Sequence, residues 1–286
     1  MAKKLRSKKG AERAIRIVIY VILTLLSVVW LIPFFLLILQ SFRGEPGLAT
    51  RNVFPKEWTL NNYIRLFRDT EFPRWWLNTF IVSVVVTVIQ TAIVLATSYA
   101  LSRLRFKLRK PLMNLMLILG MFPGFLSMVA VYYVLWKLKL SDNPVGLILV
   151  YSASTAMQYY ICKGFFDTIP KSLDEAARID GASRQQVFWK IILPLAKPII
   201  IYTVLTAFIA PWGEYMFSSL IVGRQDTASY TVASGMRDIF LSSGNQDEYF
   251  TVFCAAAVVV SIPITALFLW LQRYYVEGVT GGAVKG

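Results

Sequence analysis

The segment Lys163-Gly-Phe-Phe-Asp-Thr-Ile-Pro-Lys-Ser-Leu-Asp-Glu-Ala-Ala-Arg-Ile-Asp-Gly-Ala-Ser-Arg-Gln-Gln-Val-Phe-Trp-Lys-Ile-Ile-Leu-Pro194 separates two long apolar runs, and its local chemistry is unusually explicit. Pro170 precedes a Ser172-to-Glu175 spacing that reads as a capping box, the serine accepting a free amide and the glutamate reaching back. Glu175, Ala176, Ala177 and Arg178 favour helix, Asp180 ends the run, and Gly181 can adopt the left-handed conformation that closes a helix. A second box, Ser183 to Gln186, starts another helix, expected to stop before Pro194. The segment therefore predicts two short helices joined by a tight turn.

The composition around it is that of a membrane protein. Of 286 residues, 56% are hydrophobic and 16% charged, against roughly 25% charged in soluble domains. Apolar runs fall at 15–40, 77–101, 111–136, 144–161, 199–222 and 250–271, each near the roughly 20 residues needed to cross a bilayer of about 30 Å. The N-terminus is basic and then apolar, but its run is too long for a cleaved signal and no small-residue cleavage site follows. It reads as an uncleaved first span.

The net charge of +14 comes from Lys and Arg placed between apolar runs, unlike the single basic face of a nucleic-acid binder. With the N-terminus inside, 20 of the 30 basic residues fall on the cytoplasmic side, which places both termini in the cytoplasm. Trp75, Trp76, Trp136, Tyr274 and Tyr275 lie near span ends, as interfacial anchors do. On this topology Cys162 and Cys254 lie at opposite membrane faces, so no disulfide is expected, and both read as small packing residues. With no histidine, His-dependent triads, metal sites and proton shuttles are excluded.

Within the spans, Gln90, Asn114, Gln158 and Glu214 are the main polar candidates, with Ser127, Ser152, Ser154 and Thr155 weaker ones. Glu214 is the sole acid inside a span, roughly 12 Å from its outer end at 1.5 Å per residue. It reads either as a pathway or ion-coupling group or as a structural partner. Pro33, Pro123, Pro211 and Pro263 can kink their helices, and Ala92, Ala96 and Ala100, like Gly120 and Gly124, allow close helix approach.

The 163–194 element is too ordered for a linker and too small for a catalytic domain. Two uses fit it: docking to a cytoplasmic partner, or lying on the membrane with Phe188 and Trp189 in the headgroups. The spacing Glu175-Ala-Ala, Gly181, then Ile191-x-Leu193-Pro194 resembles the EAA motif of permease subunits in bacterial binding-protein-dependent ABC importers. The likeness extends from about Leu77 to Gly286. Gly120-Met-Phe-Pro-Gly-Phe-Leu-Ser-Met-Val-Ala, Lys163-Gly-Phe-Phe-Asp-Thr-Ile and the tail from Gln272 are similar to the smaller permease of maltose/maltodextrin importers.

This resemblance implies an all-α membrane protein with six transmembrane helices, the type I ABC importer permease fold and both termini cytoplasmic. It divides the chain into 1–76 (basic segment, first span and first outer loop), a permease domain 77–272 containing a coupling loop at 164–198, and a cytoplasmic tail 273–286. It implies that Glu175, Ala176, Ala177 and Gly181 seat a coupling helix in a cytoplasmic ATPase, and that the tail with Gly278, Gly281, Gly282 and Lys285 reaches the ATPase dimer. The outer loop 223–249 would face a solute-binding protein, with Gly244, Asn245 and Gln246 at its tip. Relatives often carry Trp-Asn where this chain has Trp212-Gly213, so no polar role transfers to Gly213, and the loop 41–76 matches poorly.

The implied partners are two ATPase subunits, a second permease that the resemblance favours as a different chain, an extracytoplasmic solute-binding protein and the lipid bilayer of a bacterial cytoplasmic membrane. Nucleic acid is not among them. No Gly-x-x-x-x-Gly-Lys-Ser/Thr loop is present, so the chain itself is expected to be no enzyme and to hold no cofactor, with ATP and Mg on the partner ATPase. The implied cargo is maltodextrin, with another oligosaccharide such as a galactoside as the alternative. A self-contained ion-coupled transporter or channel is the competing class; it needs several mid-membrane charged groups, and Glu214 stands alone.

Overall fold

A computed structural model of the chain describes residues 2–47, 53–121, 124–153, 156–223, 226–240, 244 and 246–283, with side chains of 2–12, 125, 273 and 275–283 outside the description. The order is α1 (Ala2–Ser41), α2 (Asn61–Arg68), α3 (Phe72–Arg103), α4 (Arg109–Met121), α5 (Gly124–Lys137), α6 (Pro144–Ala153), α7 (Ala156–Thr168), α8 (Lys171–Ile179) and α9 (Arg184–Val187). A π turn (Phe188–Ile192) then leads to α10 (Leu193–Leu195), α11 (Lys197–Gly213), α12 (Met216–Ile221), α13 (Val232–Phe240) and α14 (Gln246–Ala283). No strand occurs among the described residues beyond an isolated bridge, Arg43 to Trp58.

Three helical stretches are long and apolar enough to cross a membrane unbroken: Arg13–Ser41, Phe72–Arg103 and Gln246–Gln272. The third expected span is instead two helices, Arg109–Met121 and Leu126–Lys137, meeting at 107°, and the fourth bends by 43° between Pro144–Ala153 and Ala156–Thr168. The first break contains the Phe-Pro pair 122–123 and the second contains Ser154 and Thr155, all outside the described residues. Proline alone does not dictate a break: Pro33 and Pro263 sit inside continuous helices.

The fifth span required the largest correction. The expected run 199–222 ends at Gly213, and a separate α12 follows. Pro211 lacks the amide that would bond to the preceding turn, Gly213 weakens the helix, and Glu214 turns extended at φ −81° and ψ 106°. Its carboxylate then accepts the freed amides of Phe217 at 2.8 Å and Ser218 at 3.0 Å, and the Tyr151 hydroxyl at 2.7 Å. Glu214 is thus a helix-capping acid at a break, rather than an isolated carboxylate within a span.

The chain divides into two compact units, 1–66 with 243–259, and 67–242 with 260–286. In the first, the span Arg13–Ser41 is unburied across its most apolar window. Buried Asn62 holds the following loop by donating to the carbonyls of Ser41 and Arg43 at 3.0 and 2.7 Å, and accepts from Thr251 at 3.0 Å. Arg65 pairs with Glu248 at 3.0 Å. Burial alone would raise the Glu45 carboxyl pKa, but the amides of Glu45 and Lys56 and the Arg43 guanidinium outweigh it and hold it below the usual value.

The second unit is organised on α3. Val82, Val86, Gln90, Val94 and Ser98 recur every four residues as a buried stripe, against which α6, α7 and α11 pack. Ala92 and Ala96 face outward from this stripe, whereas Gly120 meets the Ala156 Cβ, for which a Cβ of its own would stand at 3.3 Å. At the other end of α3, α13 lies close: a Cβ at Gly235 would fall 2.3 Å from the Trp75 ring. The Trp75 indole donates to Thr227 O at 2.8 Å, and Thr79 accepts the Val232 amide at 2.8 Å. Cys162 and Cys254 are both free and buried.

Replacing Glu214 with Ala should uncap α12 and lower stability by about 1–2 kcal/mol, whereas Glu214→Gln, which keeps one acceptor oxygen, should lose less. Thermal unfolding of the purified protein in detergent checks the order; equal stability of the two variants would contradict the capping role.

Candidate functional site

The 163–194 segment resolves into a folded hairpin on the end of α3. Helix α8 starts two residues earlier than its sequence suggests, with Pro170 as its N-cap and no side-chain cap. Ser172 therefore lies inside the helix, and the expected Ser172–Glu175 box does not form. The second box forms fully: Ser183 accepts the Gln186 amide at 3.3 Å, and Gln186 accepts the Ser183 amide at 2.7 Å. Between them Gly181 has φ +85°, its amide donates to Arg178 O at 3.1 Å, and the Ala182 amide donates to Ala177 O at 2.9 Å. These two bonds close α8 through a left-handed residue, a conformation a Cβ disfavours.

The helix begun at Ser183 does not stop before Pro194 as expected. It widens into the π turn, where the Leu193 amide bonds to Phe188 O, and passes the proline to end near Ala196. The wider turn relieves the clash that proline otherwise makes with the carbonyl four residues back. An 81° bend then leads into α11.

The hairpin has two faces. Ala177, Val187, Ile192 and Ala196 are buried with Val94, Leu95, Cys162 and Phe166 of α3 and α7. Phe188 packs on Tyr99 with ring centroids 4.7 Å apart, so it joins this core rather than the headgroups, while Trp189 is exposed. Glu175 and Ala176 are exposed, and Ile179, one turn on, is 87% exposed. The motif thus splits by function: Ala177 seats the hairpin on its own chain, and Glu175, Ala176 and Ile179 form a free face. Ile179 went unnoticed in the sequence, where an isoleucine near a buried alanine looks like core; its position at i+4 from Glu175 was the available signal.

A polar frame ties the hairpin to the spans. Arg103, ending α3, pairs with Asp174 at 3.1 Å and donates to Ile169 O at 2.8 Å; the two side chains are 4% and 15% exposed. Ser102 donates to Asp167 at 2.6 Å, and Lys163 pairs with the same carboxylate. These groups are 65 or more residues apart in sequence except for the Lys163–Asp167 pair, so their pairing was not legible there.

Between the spans, Gln90 and Gln158, singled out separately, are brought together: Gln90 donates to Gln158 at 2.7 Å, and Gln158 donates to Thr206 at 2.5 Å. They edge a cavity of about 670 Å³ that also takes in Ser127, Tyr202 and Ala210. Asn114 is exposed on α4, and Ser152 is buried without a hydrogen-bond partner among the described residues. Glu214 lies outside this cavity lining, occupied as the cap of α12.

Of the outer tip, Gly244 is a turn residue at φ +96° and Gln246 begins α14, whereas Asn245 lies outside the described residues. Gly278, Gly281 and Gly282 continue α14 as helix to Ala283, and Lys285 lies outside the described residues. Among the described residues no group of three His, Cys, Asp or Glu could hold a metal ion.

Comparison with known proteins gives this arrangement its relatives. The chain is 35% identical over 272 residues to the maltodextrin transport system permease protein MdxG of Bacillus subtilis, covering 95% of this chain and 96% of that protein. It is 34% identical to the galactooligosaccharides transport system permease protein GanQ of the same organism, over 93% and 94% of the two chains. In structure it matches a bacterial ABC transporter involved in import of the acidic polysaccharide alginate, with a TM-score of 0.77 at 23% identity over 93% and 98% of the chains. Residues 92–281 match the model of the family described as binding-protein-dependent transport system inner membrane component, and the chain belongs to that family.

Proposed function

We propose that this chain is one permease subunit of an ATP-driven importer that carries maltodextrin-type oligosaccharides across the bacterial cytoplasmic membrane. The observation that carries the coupling role is the two-faced hairpin: Ala177 anchors it to α3 and α7 while Glu175, Ala176 and Ile179 remain free for a partner. That partner is an ATPase subunit, because the chain has no phosphate loop of its own. ATP and Mg belong to two such ATPases. A second permease, favoured as a different chain, completes the path, and an extracytoplasmic solute-binding protein delivers the cargo near Gly244 and Gln246. The tail beyond Gln272 extends toward the ATPases.

When the ATPases close, the hairpin moves with them, and the Arg103–Asp174 pair transmits that motion to α3. On α3, Gln90 faces the cavity shared with Gln158 and Thr206, whose hydrogen bonds suit a hydroxyl-rich cargo. The maltodextrin assignment rests on the permeases of Bacillus subtilis and Streptococcus pneumoniae that share 35% and 32% identity over nearly the whole chain. The galactooligosaccharide permease at 34% supports a galactoside as the second reading. An ion-coupled carrier loses its main candidate, since Glu214 is engaged by two amides and a tyrosine.

The decisive experiment is mass spectrometry of proteins co-purifying from mildly solubilised native membranes, followed by sugar binding to the recovered solute-binding protein. An ATPase, a second permease and a maltodextrin-binding protein are expected; the chain alone, transporting in liposomes without ATP, would end this reading. Gly181→Val places a β-branched residue at φ +85°, which costs about 1–3 kcal/mol locally. ATP-dependent uptake should fall by roughly tenfold or more, about 1.4 kcal/mol per decade, while the amount of inserted protein is unchanged. Uptake at the parental level would show that the turn does not position the hairpin.

A further inference from the structure

The turn between α3 and α4 reads Arg103-Leu104-Arg105-Phe106-Lys107-Leu108-Arg109-Lys110, alternating basic and apolar residues. Phe106 and Leu108 are 42% and 63% exposed. Such alternation at a membrane face sends apolar side chains toward acyl chains and basic ones toward headgroups.

Beside this turn lies a cavity of about 380 Å³ whose other wall is the coupling hairpin. Its cations are Arg103, Arg105, Arg109, Lys171, Arg178 and Arg184, against two acids, Asp174 and Glu175. Asp174 is already paired with Arg103, so the cations of the lining exceed its anions by four. Arg103 is a second observation at this cavity. Its side chain is 4% exposed and lines the cavity, yet among the described residues its Nη1 has no hydrogen-bond partner, and neither has the Oδ1 of Asp174 in the same ion pair. A buried guanidinium nitrogen left unpaired is costly, and a phosphate oxygen is the acceptor it matches best.

We propose that this cavity binds the phosphate of an anionic phospholipid headgroup from the cytoplasmic leaflet. Arg105 and Arg109 supply charge at the rim, Arg103 Nη1 supplies the buried donor, and Phe106 and Leu108 meet the acyl region. An excess of basic residues on the cytoplasmic side is expected of any membrane protein; the cavity and the orphaned donor are what that rule does not require. The lipid would sit between α3 and the hairpin, beside the Arg103–Asp174 pair, but its binding does not depend on the transport reading.

The test uses the full chain, with whatever subunits co-purify, in nanodiscs of phosphatidylcholine and phosphatidylglycerol at 3:1. Retained lipid is counted by native mass spectrometry after extraction into detergent. The double variant Arg105→Gln/Arg109→Gln is compared with Arg13→Gln/Arg16→Gln, which removes equal charge from the basic segment of α1. The first should retain phosphatidylglycerol about tenfold less than the parent, given the contribution of each basic residue near an anionic surface, and the second should retain it as the parent does. A parallel arm measures binding of radiolabelled inorganic phosphate in discs of phosphatidylcholine alone. If the parent binds phosphate there, the double variant does not, and lipid retention is equal, the site takes a soluble phosphate and the lipid source is overturned. Equal lipid retention and equal phosphate binding in all three proteins would overturn the site itself.

Discussion

The buried face of α3 is the constraint on which the larger unit depends. Its stripe from Val82 to Ser98 is covered by α6, α7 and α11, none of which neighbours it in sequence. A 32-residue helix is about 48 Å long at 1.5 Å per residue, so it overreaches a hydrocarbon core of about 30 Å. One end holds the hairpin through Arg103 and the end of α7 through Ser102. The other holds α13 through Thr79, and the turn before that helix through Trp75 and Asn78. One rigid element therefore touches both the segment that would face an ATPase and the segment that follows the outer end of α11.

Breaks in the remaining helices are as important as the continuity of α3. Each break frees backbone amides or carbonyls that lipid cannot satisfy, and at two of them the chain supplies partners of its own. Glu214 takes two amides at the head of α12, and Ser218, Thr231 and Ser234 form a buried hydroxyl cluster joining α12 to α13. The π turn before Pro194 serves the same need by bonding one residue further back. Polar side chains inside this membrane protein are thus mostly structural, with Gln90, Gln158 and Thr206 set apart because they border open space.

Charge at the cytoplasmic end follows a different logic. Arg103 and Asp174 are nearly buried, and breaking such a pair leaves an uncompensated charge. The outer cations, by contrast, line a cavity in which they outnumber the acids. The first arrangement fixes the hairpin; the second leaves room for an anion.

Much was legible in the chain itself because it is encoded over a few residues. Apolar run length gave the spans, Ser183 and Gln186 gave a cap, and Gly181 gave a left-handed turn, since each depends on backbone sterics and neighbours within one helical turn. The same local reasoning misplaced the Ser172 box, because Pro170 caps α8 two residues earlier, and it carried the fifth span through Gly213 to Val222. Only the tertiary structure could show that Gln90 meets Gln158 and Gln158 meets Thr206, that Arg103 meets Asp174, and that Glu214 caps α12. Those pairings depend on the rotation of one helix against another, which is set by packing over the whole unit and leaves no mark in residue spacing.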